Sequence, residues 1–196
     1  MVIDNVHIYG TGNSVVASGY PFRIDLPSFV FSETPNDLKR ANKLAKLKDG
    51  HDVFLQGIIV QFDLTCSIKM WTQLQRYHFI DFVSSQSTMH MITKMNLADS
   101  YVEYVDTKVI EVMKKLQNEF RKNPTEENFL RLVYSNPVGM NLTARLTTNL
   151  RQLKTIYRQR KRHKLKEWKS FCKWISSLTI LGLDWLSDED LDDAKD

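Results

Sequence analysis

Thr147-Thr148-Asn149-Leu150-Arg151-Gln152-Leu153, with Arg158 and Arg160 downstream, is the stretch on which the reading of this chain turns. It falls in a long segment that starts after Pro137-Val138-Gly139, runs to about residue 178, and reads as helix, broken or continuous. On a helix, Asn149 and Arg160 are eleven positions apart, near three turns, and so fall on one side. Two arginines and an amide on one face suit a phosphate, because each guanidinium offers a planar fork of donors.

The same stretch opens a basic block. Nine of the nineteen residues from Arg151 to Lys169 are Lys or Arg, against one acid, Glu167. From Asp184 to the end, seven of thirteen residues are acidic, against one base, Lys195. The net charge of +4 over 196 residues therefore hides two opposite blocks. A dense basic run attracts phosphates, and nucleic acid is one such partner. A solvated helix face explains the run equally well. The acidic end reads as a solvated tail that could also fold back on the basic segment. With no repeat and no Pro/Gly/Ser linker, the expectation is one domain over residues 1–178 and an acidic tail over 179–196.

The remaining composition excludes several classes. A 42% hydrophobic fraction is too high for disorder. No apolar run approaches the roughly 18 residues of a membrane span. No signal peptide is visible, so a cytoplasmic, reducing location is expected, without a membrane partner. Cys66 and Cys172 form no disulfide framework, and the five His show no metal-ligand spacing. Cys66 reads as a small core residue, since no activating base is in view. No G-x-S-x-G, H-E-x-x-H, phosphate-binding loop or dinucleotide fingerprint occurs.

Periodicity gives a coarse map. Residues 1–10 read as an edge strand, and Gly10-Thr11-Gly12-Asn13 as a turn. Residues 20–35, with Pro21, Pro27 and Pro35, read as irregular connection. Asn36 is a candidate cap for a helix over 37–48, closed by Gly50. Residues 53–64 read as a strand, and Ser67 as the cap of a helix over 68–79. Val102, Val105, Val109, Met113, Leu116 and Phe120 mark a helix over 101–121. Asn123-Pro124, with Glu126, restarts one. The class is α+β, helix-dominated with a small sheet.

One further stretch carries chemistry. Between Gln73 and Thr88 lie Arg76, His78, three aromatics and several hydroxyls. Arg suits phosphate, Ser and Gln suit base edges, and aromatics suit stacking.

In order and spacing these stretches resemble the flavin-dependent thymidylate synthases. That family has a Gly-His turn entering a strand, and here Gly50-His51-Asp52-Val53-Phe54-Leu55-Gln56-Gly57 leads to Gln61-Phe62. Its Q-L-x-R-H-R and N-E-x-S-x-R-Y halves are similar to Gln73-Leu74-Gln75-Arg76-Tyr77-His78 and to Ser84-Ser85-Gln86-Ser87-Thr88-Met89-His90. Its T-x-N-x-R-x-L resembles Thr147 to Leu153, and Arg160 stands nine beyond Arg151 as the family's later Arg does, before Glu167-Trp168. The register covers about residues 36–176.

The resemblance implies a thymidylate synthase-complementing-protein-like fold and a homotetramer. It also implies FAD, NADPH and methylenetetrahydrofolate as cofactors, with methylation of a pyrimidine deoxynucleotide such as dUMP. By position, Gln73, Arg76, Ser87 and Arg160 match residues that hold the pyrimidine nucleotide. His51, Arg76, His78, Asn149 and Arg151 match flavin-contacting positions. Arg160 has the catalytic part, stabilising charge on the uracil carbonyl. The chain departs from the pattern at Tyr77, His78, Ser84-Ser85, Met89-His90, Val53 and Gln56-Gly57. Met89 replaces an Arg fork that Met cannot reproduce. Two alternatives to an active methyltransferase thus stand: a non-catalytic protein that binds or sequesters a nucleotide on the same fold, and a basic nucleic-acid-binding protein using the 151–169 run.

Overall fold

The computed structural model describes residues 1–24, 33–47, 50–187 and 190. Among the described residues four strands, β1 (Val2–Tyr9), β2 (Ile59–Ser67), β3 (Ile80–Ser85) and β4 (Asn141–Asn149), form one sheet in the order β1-β2-β4-β3. The helices are α1 (Thr11–Ala17), α2 (Pro35–Lys46), α3 (Ile68–Leu74), α4 (Thr88–Met91), α5 (Thr107–Lys122), α6 (Glu126–Tyr134), α7 (Leu150–Arg160) and α8 (Lys166–Ser177). This is the helix-rich α+β class with a small sheet that the sequence led us to expect.

Alternation builds the two central strands. Val60, Phe62, Leu64 and Cys66 of β2 point inward and are fully buried, as are Leu142, Ala144 and Leu146 of β4 to within 4%. The other faces pair across the strands. Gln61 donates to the Thr147 hydroxyl at 3.2 Å, Arg145 meets Asp63 at 3.2 Å, and the Thr65 and Thr143 hydroxyls lie 2.8 Å apart. Each step of two forward along β2 is a step of two backward along β4, which fixes an antiparallel register.

The chain sorts into two compact units. The first holds residues 1–4, 63–78 and 82–146, and the second residues 5–62, 79–81 and 147–196. In the first unit, α5 packs on α6, with Met113, Leu116 and Leu132 buried. Gln117, also buried, donates to the Ile92 and Met95 carbonyls at 2.7 and 3.0 Å and so fixes the turn after α4. In the second unit, α7 packs on α8. Trp168, Phe171, Cys172 and Ile175 form the apolar stripe of α8, and Trp174 meets Phe62 of β2 at 4.7 Å between ring centres.

Several boundaries differ from expectation. Residues 53–57 form a 3-10 turn, and the strand begins only at Ile59. The helix start at Asn36 moves to Thr34, whose hydroxyl accepts from Asp37 N while Asp37 accepts from Thr34 N. That helix closes at Leu47, not Gly50. Ser67 caps α3 as expected, its Oγ accepting from Met70 N at 3.1 Å, but the helix stops at Leu74, short of 79. The 101–121 helix begins only at Thr107, and Thr125 rather than Asn123 caps α6. Gly10, with φ of 77°, begins α1 rather than a bare turn, and a side chain there would meet the Gly57 carbonyl at 2.6 Å.

The largest correction concerns residues 140–149. They form a central strand, not the front of a long helix. Leu142, Ala144 and Leu146 are good helix formers, but every second residue is buried, so tertiary burial outweighs propensity. The first part of the expected solvated tail is a second correction, while residues 188, 189 and 191–196 lie outside the described residues. Ile180, Leu183, Trp185 and Leu186 are all buried to within 5%. Asn42 of α2 donates to Gly182 O at 3.1 Å and accepts from Asp184 N at 2.8 Å, while Lys46 pairs with the Asp184 carboxylate. Among the described residues, no helix is long and apolar enough to cross a membrane, and no group of three His, Cys, Asp or Glu could hold a metal ion.

Candidate functional site

Strand β4 passes into helix α7 without a loop, and the site begins at that junction. Asn149, the last strand residue, has extended backbone and caps the helix, its Oδ1 accepting from Gln152 N at 2.9 Å. The next N–H, that of Leu150, donates to Ile58 O at 2.9 Å. The junction is thereby pinned to the entrance of β2 within the second unit.

Beside it opens a cleft of about 210 Å³ lined by Asp52, Gln56, Phe79, Asn149, Arg151, Gln152, Thr155 and Arg158. Phe79 is half exposed, and its carbonyl accepts the Thr148 hydroxyl at 2.6 Å, which holds that residue against β4. Amides, a hydroxyl, two guanidinium groups, the Asp52 carboxylate that pairs with one of them, and one ring thus face a common space. Such a set receives an anion next to a flat group.

A charge cluster forms part of the wall, through Asp52, Arg151 and Arg158, and continues behind it. Asp52, 5% exposed, accepts from Arg151 Nε at 3.0 Å and from Lys154 Nζ at 2.8 Å. Lys154 is fully buried and also donates to the carbonyls of Ala45 and, at 3.0 Å, Leu47. Its three protons therefore all have acceptors. Burial pulls the Lys154 pKa below the usual lysine value, and Asp52 opposes this. Arg158 meets Asp190 with both arms of its fork, at 2.6 and 3.0 Å. Burial pushes the Asp190 carboxyl up, but the bonds from Arg158 and Ser187 outweigh it and hold its pKa at about 2. Three cations and two carboxylates leave the cluster with one net positive charge.

The cleft brings together Asn149 and Arg151 of the expected site residues. His51 is exposed beside Asp52 and does not line it. Arg160 stands at the far end of α7, its guanidinium carbon 4.9 Å from the centre of the Trp168 ring. Eleven residues do bring Asn149 and Arg160 to one side of the helix, but they also rise about 16 Å along it. The two therefore cannot grip one phosphate together. Gln73, Arg76, His78 and Ser87 belong to the first unit. Gln73 lies on α3, Arg76 and His78 are exposed after it, and Ser87 precedes α4. Met89 is exposed on α4.

The sequence reading missed Asp52, Gln56, Phe79, Gln152, Thr155 and Lys154, and assigned no role to Arg158. Lys154 carried a visible mark. Leu150, Leu153, Lys154 and Tyr157 follow the 0, 3, 4, 7 spacing of a buried stripe, so a lysine there needs a buried partner. Cys66 is core, fully buried, and burial pushes the thiol of Cys172 up to about 12. Neither is an activated nucleophile.

No protein-family model matches the sequence, and no curated protein matches it. Solved structures do. Thymidylate synthase X (ThyX) from Helicobacter pylori, crystallised with FAD and dUMP, aligns over 97% of this chain and 99% of its own, with a TM-score of 0.73 and 17% identity. A second structure of the flavin-dependent enzyme from Helicobacter pylori, complexed with FAD and dUMP, aligns over 91% and 94% with a TM-score of 0.69 and 17% identity. The chain has the fold of the flavin-dependent thymidylate synthases. Within that ThyX fold, the β4–α7 junction carries the Thr147-to-Leu153 motif and lies open to the cleft.

Proposed function

We propose that this protein binds FAD and a pyrimidine deoxynucleotide such as dUMP and transfers a one-carbon group to the pyrimidine by flavin chemistry. NADPH and methylenetetrahydrofolate would serve as reductant and carbon donor. The observation that carries this reading is the cleft at the β4–α7 junction, which sets Asn149 and Arg151 side by side on a fold shared over nearly the whole chain.

The donor set fits part of a flavin nucleotide. Arg151 and Arg158 suit the phosphate groups, and the Asn149, Gln152 and Gln56 amides with the Thr155 hydroxyl suit polar edges. Phe79 offers an apolar surface. About 210 Å³ admits one phosphate and one ring, not a whole dinucleotide. Bound flavin supplies hydride transfer, so the protein need provide no nucleophilic thiol, in keeping with the buried cysteines. The role of this chain is to bind and to orient. Asp52 holds Arg151 in one rotamer, and Lys154 holds Asp52. By resemblance, Gln73, Arg76 and Ser87 would hold the nucleotide, Arg160 would stabilise charge on the uracil carbonyl, and His51 and His78 would contact flavin. The assembly that goes with this reading is a homotetramer.

A non-catalytic nucleotide binder is the second reading, and Met89 favours it. An exposed thioether stands where the family motif has a guanidinium, and it cannot bind a phosphate or a base edge. One set of measurements separates the two. The purified protein is expected to be yellow, or to turn so with added FAD, and to form dTMP from dUMP when NADPH and methylenetetrahydrofolate are supplied. Flavin and dUMP binding without dTMP would establish the second reading. A colourless protein that binds no FAD at tens of micromolar would sink the first. In an active protein, Arg151→Ala is expected to weaken FAD binding at least tenfold, while Lys169→Ala on the exposed face of α8 leaves it unchanged.

A further inference from the structure

Arg158 lines the cleft, yet its fork is already filled from within the chain. Its Nε and Nη2 donate to the two carboxylate oxygens of Asp190 at 2.6 and 3.0 Å. Lys161 Nζ donates to the Asp190 carbonyl at 3.0 Å. Ser187 Oγ and N donate to Asp190 Oδ2 at 2.7 and 3.1 Å, and Asp190 N returns a bond to Ser187 Oγ at 3.2 Å. These reciprocal bonds hold the carboxylate toward the guanidinium, and the residue is 4% exposed.

Two oxygens on a guanidinium fork make the arrangement in which arginine binds a phosphate. The chain builds a similar group at Asp37, where Thr34, Arg23 and Arg40 converge. There neither arginine lines the cleft, and the group caps α2. At Asp190 the bound arginine, Arg158, lines the cleft, and the buried Asp190 stands behind it. Asp190 belongs to the same chain as Arg158, which keeps its carboxylate at high local concentration beside that fork.

We propose that the Asp190 carboxylate is a tethered competitor that occupies an anion subsite made by the Arg158 fork, and that a ligand's phosphate must displace it to reach that fork. The proposal rests on the reading of the cleft as a phosphate-binding site. A phosphate carries more charge than the single negative charge of a carboxylate, so the subsite selects a phosphate monoester or pyrophosphate over singly charged anions. Asp190 thereby sets a threshold of affinity that a ligand must pass.

The test uses the full chain and inorganic pyrophosphate, with binding followed by calorimetry. Asp190→Asn removes the competing charge at nearly constant shape and is expected to tighten pyrophosphate binding about tenfold or more. Adding Arg158→Gln is expected to abolish that gain. Equal or weaker binding to Asp190→Asn would overturn the proposal. A second measurement needs no variant of Asp190. The Arg158 Nε resonance, assigned through Arg158→Lys, should move when the unaltered protein is saturated with pyrophosphate, and a stationary resonance also overturns it. Failure here is distinct from failure of the function reading. Normal FAD binding with no effect of Asp190→Asn on pyrophosphate defeats the competitor alone. A colourless protein whose pyrophosphate binding tightens in Asp190→Asn defeats the flavin reading and leaves the competitor standing.

Discussion

Lys154 joins three parts of the chain with one ammonium group. It reaches back 109 and 107 residues to the last carbonyls of α2 and 102 residues to Asp52. Each acceptor would otherwise be buried without a donor, or with one fewer, and each such loss is costly. Lys154→Met keeps the length and the apolar stem but removes all three bonds. It leaves Asp52 with Arg151 alone, and we expect a loss of about 3–5 kcal/mol, read as a lower urea midpoint. A loss under about 1 kcal/mol would mean that the cluster is no keystone of the second unit. The lysine itself was legible, as a charge on an apolar stripe. Its partners were not, because no local rule links residues a hundred positions apart.

At the scale of the element, the β4–α7 junction shows what a single cap does twice. Asn149 ends a strand and starts a helix, and the same side chain lines the cleft. Two substitutions separate these tasks. Asn149→Ala loses the bond to Gln152 N and should cost about 1 kcal/mol of stability. Asn149→Asp keeps an oxygen on that N–H and suits the positive end of the helix, so stability should be retained. It also places a negative charge in the cleft, and binding of an anionic ligand such as FAD should fall about tenfold or more. If both variants bind alike, the cleft is not where the anion sits. The element boundaries were legible where side chains decide locally, as at Ser67 and along β1. They were illegible at β4, whose Leu and Ala residues suit a helix as well as a strand until the sheet order places them between β2 and β3.

At the scale of the whole molecule, two of the buried carboxylates, Asp37 and Asp190, tie stability to pH. The Arg40 guanidinium, with Thr34, holds the Asp37 carboxyl well below the usual carboxylate range, and Asp190 is held at about 2. Both folded-state values lie under the unfolded value of about 3.9, so each group stabilises the fold above that pH. The stabilisation fades as the pH falls through the folded values. Asp190→Asn should therefore cost about 2 kcal/mol near pH 6 and progressively less between pH 4 and pH 2, measured by urea unfolding at each pH. A cost that stays constant with pH would place the effect in packing and not in the charge.

The opposite charge blocks, the helix-rich α+β class, the cap at Ser67 and the adjacency of Asn149 and Arg151 were all determined by the sequence itself. These follow from counts, periods and neighbours along the chain, which need no tertiary knowledge. Only the tertiary structure decided which cations of the 151–169 run are spoken for. Arg151 and Lys154 turn to Asp52, Arg158 and Lys161 to Asp190, and Arg160 to Trp168. Composition makes these five residues equivalent, since each adds one charge to the same run. The fold makes them different: buried Lys154 must find its counter-charge wherever the fold has placed one, and the half-buried others take the carboxylate, carbonyl or ring within their reach.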